Sequence, residues 1–160
     1  MVSLIEMEID GFELFRENFI REYASSISTN YGYTESKSLE FATLDFEMRL
    51  PNKLDTKGNS ICSIKVGEQS IGHLWYLESV EESTAFICDF FIDEKYRNLG
   101  FGKLALTSLE SRFKAKGIER MKLHVTNGND GALRLYTRLG YSTTGITFSK
   151  CSISSRKTKT

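Results

Sequence analysis

Proline is almost missing from this chain: Pro51 is the one instance in 160 residues. A proline-rich linker is excluded, and with it one common sign of a second domain. Cysteine is also scarce. Cys62, Cys88 and Cys151 are odd in number, widely spaced and free of any C-x-x-C pattern. That speaks against a disulfide framework or zinc knuckle and for a reducing compartment. No charge of one sign predominates, since Lys plus Arg and Asp plus Glu each total 21. A general nucleic-acid binder usually carries a basic excess, so that class is disfavoured, although a local basic site is not. No apolar run approaches the ~18 residues of a membrane span. The first ten residues are acidic where a secretory signal would be basic, and no small-residue cleavage site follows. The expectation is a cytoplasmic protein with neither nucleic acid nor membrane as partner. What is present suits a globular domain: 40% of residues are hydrophobic and 26% charged. A chain of this length buries roughly 70% of its unfolded surface without needing a metal or disulfide staple.

The hydrophobic pattern divides the chain into strands and helices. Residues 2–9 read as a first strand. Asp10, with Glu13 three positions on, has the form of a capping box, and Phe12, Phe15, Phe19 and Tyr23 recur on one helical face. The polar residues 25–33 are expected to end that helix. A second helix is predicted over 35–50 on the stripe Leu39, Ala42, Phe46 and Leu50, stopped by Pro51. Residues 61–66 and 70–78 flank Gly67-Glu68-Gln69 as a hairpin. Residues 84–92 are apolar on both faces except for Asp89, the mark of a central strand covered on both sides. A third helix is expected over 99–116, with Gly117 as its left-handed cap. A strand over 121–126, a fourth helix over 130–139 and a last strand within 142–153 complete the pattern. This is one α/β domain over residues 1–153 with a mixed sheet, followed by a polar, basic tail over 154–160.

The stretch from Asp93 through Glu94, Lys95, Tyr96, Arg97, Asn98, Leu99, Gly100, Phe101 and Gly102 to Lys103 joins the buried strand to an amphipathic helix. Glycines at a helix mouth let the backbone approach a ligand, and free N–H groups with the helix dipole favour an anion. Arg97 and Lys103 add positive charge at the same end. The pattern is a phosphate or pyrophosphate cradle. Two familiar alternatives fail on residues. Gly100-x-Gly102-x-x-Ala105 lacks the tight turn of a dinucleotide fingerprint and the acidic residue that should close the next strand. A P-loop would need Gly where Arg97 stands and Ser or Thr where Leu104 stands.

Two motifs coincide here. Arg97-Asn98-Leu99-Gly100-Phe101-Gly102 meets the pattern (R/Q)-x-x-G-x-(G/A). Asn129, Ala132, Leu135, Tyr136, Gly140 and Tyr141 meet N-x-x-A-x-x-L-Y-x-x-x-G-(F/Y). In both, and in their order, the sequence resembles the GNAT superfamily of N-acetyltransferases, small bacterial members in particular. The resemblance covers residues 64–150, and the first two helices fit in outline. It implies the GNAT acyl-CoA N-acyltransferase fold, a mixed and mostly antiparallel central sheet flanked by four helices, with acetyl-CoA as cosubstrate. The backbone of Phe90, Phe91 and Ile92 would pair with the pantetheine amides like an added strand. The amides of Arg97, Asn98, Leu99, Gly100, Phe101 and Gly102, with Lys103 beside them, would hold the pyrophosphate. Asn129 would bond the pantetheine arm, and Tyr136 would protonate the leaving thiolate. Many members carry a further strand at the end of the sheet. Few residues follow Gly140 here, so an early sheet edge or a homodimer is expected.

The chemistry sets its own demands. An amine must be neutral to attack a thioester. A lysine-like amine with pKa ~10.4 is neutral about 0.04% of the time at pH 7, a cost of about 4.6 kcal/mol; an α-amine near pKa ~8 costs about 1.4 kcal/mol. A strongly basic acceptor therefore needs a base. His124 is the first candidate, expected on the strand over 121–126 and facing away from Leu123 and Val125; imidazole suits proton exchange at neutral pH. Asp89 is the second, the one charge in its apolar run, although it also reads as a buried partner to His73 or a lysine. His73 and Trp75 read as core, Cys88 and Cys151 as packing residues, and Tyr31 and Tyr33 as candidates bordering an acceptor groove. No motif demands a metal. The expected reaction is direct transfer, in a ternary complex, to a primary amine on a small molecule or peptide. A longer acyl donor, a CoA-binding sensor without catalysis and an interaction module are the alternatives, and the acceptor is open.

Overall fold

β1 (Val2–Glu6), β2 (Asn59–Val66), β3 (Gln69–Ser79), β4 (Thr84–Ile92) and β5 (Arg120–Leu123) lie side by side in that order. The structure is a computed structural model, which describes residues 1–150. Three antiparallel pairings lead to one parallel pairing, β4 with β5. The expected mixed, mostly antiparallel sheet is therefore present. α1 (Ile9–Tyr31) and α2 (Glu35–Arg49) cover one face, and α3 (Phe101–Ala115) and α4 (Asp130–Arg138) cover the other. Each helix pair carries its own core. Phe12, Phe15, Phe19 and Phe46 pack on Ile61 and Trp75. Leu106, Leu109 and Phe113 pack on Ile64, Leu74 and Ile87. Full burial of side chains this large stabilises by roughly 1.5–3 kcal/mol each. β4 contributes to both cores, which is why its sequence shows no polar face.

Several boundaries differ from the sequence pattern. The polar residues 25–33 do not end α1, because Ile27 is buried among the apolar residues of the first core and carries the helix on to Tyr31. Gly32, at φ 71°, then ends it with a left-handed cap. Asp10 is not the N-cap. Glu8 holds that position without a side-chain bond, and Asp10 lies in the first turn, where its charge suits the helix dipole. β5 stops at Leu123, short of residue 126. The last strand does not form among residues 142–150, and the rest of its expected span, with the tail and Cys151, lies outside the described residues. Only Ile146 and Phe148 are large and apolar there, and both are exposed, so little burial offsets the entropy of ordering the segment. Within the described residues β5 is the edge strand.

Two irregularities shape the sheet where the site forms. Trp75 pairs with Asp89 and Tyr76 with Ile87, so Cys88 is an extra, bulged residue. Further along β3, a β-carbon on Gly72 would run into the Phe91 carbonyl oxygen. No side chain can give way there, because the obstacle is backbone. Gly72→Ala is expected to destabilise the fold by about 1–3 kcal/mol, the usual cost of overpacking; urea unfolding beside the parent protein measures it.

Candidate active site

β4 and β5 pair from Thr84↔Arg120 to Ile87↔Leu123 and then part. The second half of β4 is thus unpaired along the edge that faces the gap. Alternation tells which groups face it. Asp93 donates its N–H to Ile71 on β3, at 2.8 Å. Phe91, two residues earlier, also turns its N–H and C=O to β3, whereas Phe90 and Ile92 turn theirs to the gap. The Ile92 carbonyl is already taken by Nε of Arg97, at 2.7 Å. The open groups are therefore the N–H and C=O of Phe90 and the N–H of Ile92. Of the three residues expected to offer backbone to a ligand, Phe91 faces the wrong way.

Beyond β4 the chain turns through two left-handed residues, Asn98 at φ 60° and Gly100 at φ 85°. Asparagine tolerates that region and glycine has no β-carbon to strain it. The first bond of α3 runs from Leu104 N–H to Gly100 C=O. Among the described residues, no acceptor takes the backbone N–H of Asn98, Leu99, Gly100, Phe101, Gly102 or Lys103. Such a concave run of donors at a helix N-terminus attracts anions. Lys103 sits in the first turn of α3 with no acidic residue there, against the helix dipole. That placement is unfavourable until an anion arrives.

The two glycines play different parts. Gly100 supplies the left-handed turn in open space. Gly102 lets α3 close on its neighbours, since a β-carbon there would lie 3.2 Å from Leu135 and 3.6 Å from the Phe90 ring. Arg97 is a structural clip rather than a free cation: its guanidinium also lies over the Phe91 ring, at 5.4 Å.

Tyr136 enters from α4 on the second core, 7% exposed, between Phe90 and Tyr141. Its hydroxyl has no hydrogen-bond partner among the described residues. Burial, the Tyr141 phenol and the charge of Asp89 raise its pKa above the ordinary phenol value. The phenol therefore keeps its proton through and beyond neutral pH. Asp89 belongs to the opposite face. Its Oδ2 lies 2.6 Å from Nε2 of His73, a ring packed against Phe15 of α1. Asp89 and Tyr136 thus lie on the two opposite faces of the sheet.

His124 is exposed and lies one residue past β5, where the strands part, not on a strand as expected. Leu123 and Val125, on either side of it in sequence, pack on the second core, whereas His124 does not. Oδ1 of Asn129 caps α4 by accepting the Ala132 N–H at 3.2 Å, which leaves its Nδ2 for other use. Tyr31 and Tyr33 stack at the α1–α2 junction, half-exposed, with Phe41 beside Tyr33. Sequence reasoning missed the Asn30–Asn127 contact, where Nδ2 of Asn127 donates to Oδ1 of Asn30 at 3.3 Å and ties the end of α1 to the loop after β5. No spacing rule signals a pair so far apart.

A split parallel pair, a bulge beside it and a glycine-rich anion cradle at the next helix define the class: an acyl-CoA-dependent transferase fold. Comparison with known proteins agrees. The acetyltransferase (GNAT) family matches residues 18–141. The uncharacterized N-acetyltransferase YdgE of Bacillus subtilis is 31% identical over 151 residues, covering 92% of this chain and 96% of that protein. The uncharacterized N-acetyltransferase YycN of the same organism is 36% identical over 152 residues, covering 93% and 97%. The crystal structure of YycN superposes with a TM-score of 0.88 and 27% identity, over 94% of this chain and 98% of that one. A GCN5-related N-acetyltransferase from Ralstonia eutropha shares the fold, with a TM-score of 0.69 at 18% identity over 95% and 99% of the two chains. The chain belongs to the acetyltransferase (GNAT) family and is an acetyltransferase.

Gly100→Val places a β-branched residue at φ 85° and should close the turn. Affinity for CoA, measured by calorimetry, is expected to fall at least tenfold while circular dichroism stays that of the parent.

Proposed function

We propose that the protein transfers the acetyl group of acetyl-CoA to a primary amine, on a small molecule or a peptide, by direct attack within a ternary complex. The observation that carries this reading is the row of unclaimed N–H groups at residues 98–103, next to an unpaired strand edge and an unengaged Tyr136 hydroxyl. The fit to acetyl-CoA is chemical. A pyrophosphate suits the cradle and Lys103, and an amide-bearing arm suits the free donors and acceptor of Phe90 and Ile92, while Asn129 keeps Nδ2 as a further donor. Bound there, acetyl-CoA supplies an acetyl group activated as a thioester.

The residues then divide the proton work. Asp89, at the gap on the first face, takes the proton from the incoming ammonium. A base is needed because a lysine-like acceptor is almost wholly protonated at neutral pH. Tyr136, on the second face, gives a proton to the departing thiolate, and the second proton that the attacking nitrogen sheds as it becomes an amide restores the phenol. His124 is the competing base; its exposed position at the mouth of the gap suits a water-linked path. Asp89 is favoured because its carboxylate is held by His73 on the strand that borders the gap and is still 25% exposed.

A relay through an acyl-cysteine is disfavoured by Cys88. Burial pushes its thiol up to about 11; Arg49 opposes this, and the charge of Asp89 adds the smallest push upward. At pH 7 only about one thiol in ten thousand would be the reactive thiolate. Cys88→Ala is accordingly expected to keep turnover within a factor of a few, and iodoacetamide should leave the parent enzyme active. Loss of activity in either experiment would argue for a covalent route.

The reading as a whole is tested by calorimetric titration with acetyl-CoA, followed by an amine panel with Tyr136→Phe alongside. Removing a hydroxyl that bonds nothing should spare the fold and the acetyl-CoA affinity. Turnover is expected to drop about a hundredfold or more. Binding without turnover on any amine would favour a CoA sensor instead.

A further inference from the structure

We infer that His73 is a positioning residue for the reaction: its Nε2–H holds one oxygen of Asp89 and leaves the other aimed into the gap. This rests on Asp89 as the base. The pair is short, 2.6 Å from Nε2 to Oδ2, and unequally buried, with the His73 side chain 4% exposed and that of Asp89 25%. The His73 end is therefore fixed, and the Asp89 end keeps part of its surface open.

His73 cannot swing. Its ring stacks on Phe91 at 5.0 Å and 12°, and Phe15 meets it edge-on at 4.7 Å. Its Nδ1 has no hydrogen-bond partner among the described residues. An ionised carboxylate can only accept, so a neutral imidazole facing it must carry its proton on Nε2. A polar pair set among aromatic side chains costs more than an apolar pair of similar shape. This pair stands on the two strands next to the gap, beside the bulge that turns β4 away from β5. A merely structural pair has no reason to be there.

The other titratable or charged groups around the carboxylate are few. Cys88 adjoins it on β4 and Arg49 of α2 acts on that thiol. Tyr136 faces it from α4, Arg97 lies over Phe91, and His124 stands beyond β5. α1 offers the rings of Phe15 and Phe19, which do not titrate.

The test compares His73→Gln, which can still donate from a similar position, with His73→Phe, which cannot, and adds Asp89→Asn. Asp89→Asn should cut kcat at least a hundredfold with acetyl-CoA affinity unchanged; an active variant would remove Asp89 as base and the present inference with it. With Asp89 so established, His73→Phe should lower kcat at least tenfold with acetyl-CoA affinity unchanged, because the carboxylate has lost the donor that holds it. His73→Gln should restore most of that loss. An unchanged kcat in His73→Phe, or equal losses in both variants, would reduce His73 to packing. Should His73→Phe fail to fold, nitrogen-15 NMR of the parent imidazole decides. The inference requires the Nε2–H tautomer and a changed Nε2 signal in Asp89→Asn; an Nδ1–H tautomer overturns it.

Discussion

β4 and β5 run together as far as Ile87 and Leu123 and then separate, and beyond that point β4 keeps β3 on one edge but has no strand along the other. Unpaired backbone groups are costly when kept from water without a partner. The bulge at Cys88 bends β4 away just as β5 ends. A sheet left open in its interior, rather than only at its rim, offers donors and an acceptor to an extended ligand in the way an edge strand does. The rest of the molecule can be understood as keeping that opening in place. Gly72 brings β3 close to the Phe91 carbonyl, and Arg97 clips the Ile92 carbonyl so that the chain leaves the strand in a fixed direction.

The anion cradle depends on the same exit. Arg97 is held in place by its Nε–H on the strand and its plane on Phe91, so its charge joins that of Lys103 and the backbone N–H groups from a fixed position. Backbone donors are already oriented before a ligand binds and lose little side-chain entropy on binding. Gly102 matters here through packing. It lets α3 approach Phe90 and Leu135, which locks the cradle to both β4 and α4.

Much of this was legible in the amino-acid sequence, for identifiable reasons. β4 declared itself because burial on both faces removes every charged residue but Asp89. Gly100, Gly102 and Tyr136 stood out because close backbone turns and a paired motif leave few residue choices. The course of α1 was misjudged because its serines and asparagine suggest a break, while one buried isoleucine outweighs them through tertiary packing. The strand expected around His124 ended early because β5 has nothing beside it past Leu123. Arg97 was legible as a charge but not as a clip, since pattern does not reveal which acceptor a guanidinium finds. His73 was recognised as a partner for Asp89, but its aromatic clamp joins α1, β3 and β4, which only the folded chain brings together.

The two faces of the sheet also suggest an order of events. On the proposed roles, the ammonium proton leaves on the α1 side and the thiolate proton arrives on the α4 side. Three effects hold the proton on Tyr136: burial, its neighbour Tyr141 and the negative charge of Asp89. The first two are permanent, but the third is not. Once Asp89 has accepted the proton of the amine it is neutral, and its hold on the Tyr136 proton disappears. Taking a proton on one face therefore makes giving one on the other face easier, with no chain of hydrogen bonds between them. Burial, the largest of the three effects, persists throughout, so neutralising Asp89 eases release of the Tyr136 proton without changing what chiefly holds it. The single carboxylate in an otherwise apolar strand would then do two things: make the nucleophile, and release the acid that completes the transfer.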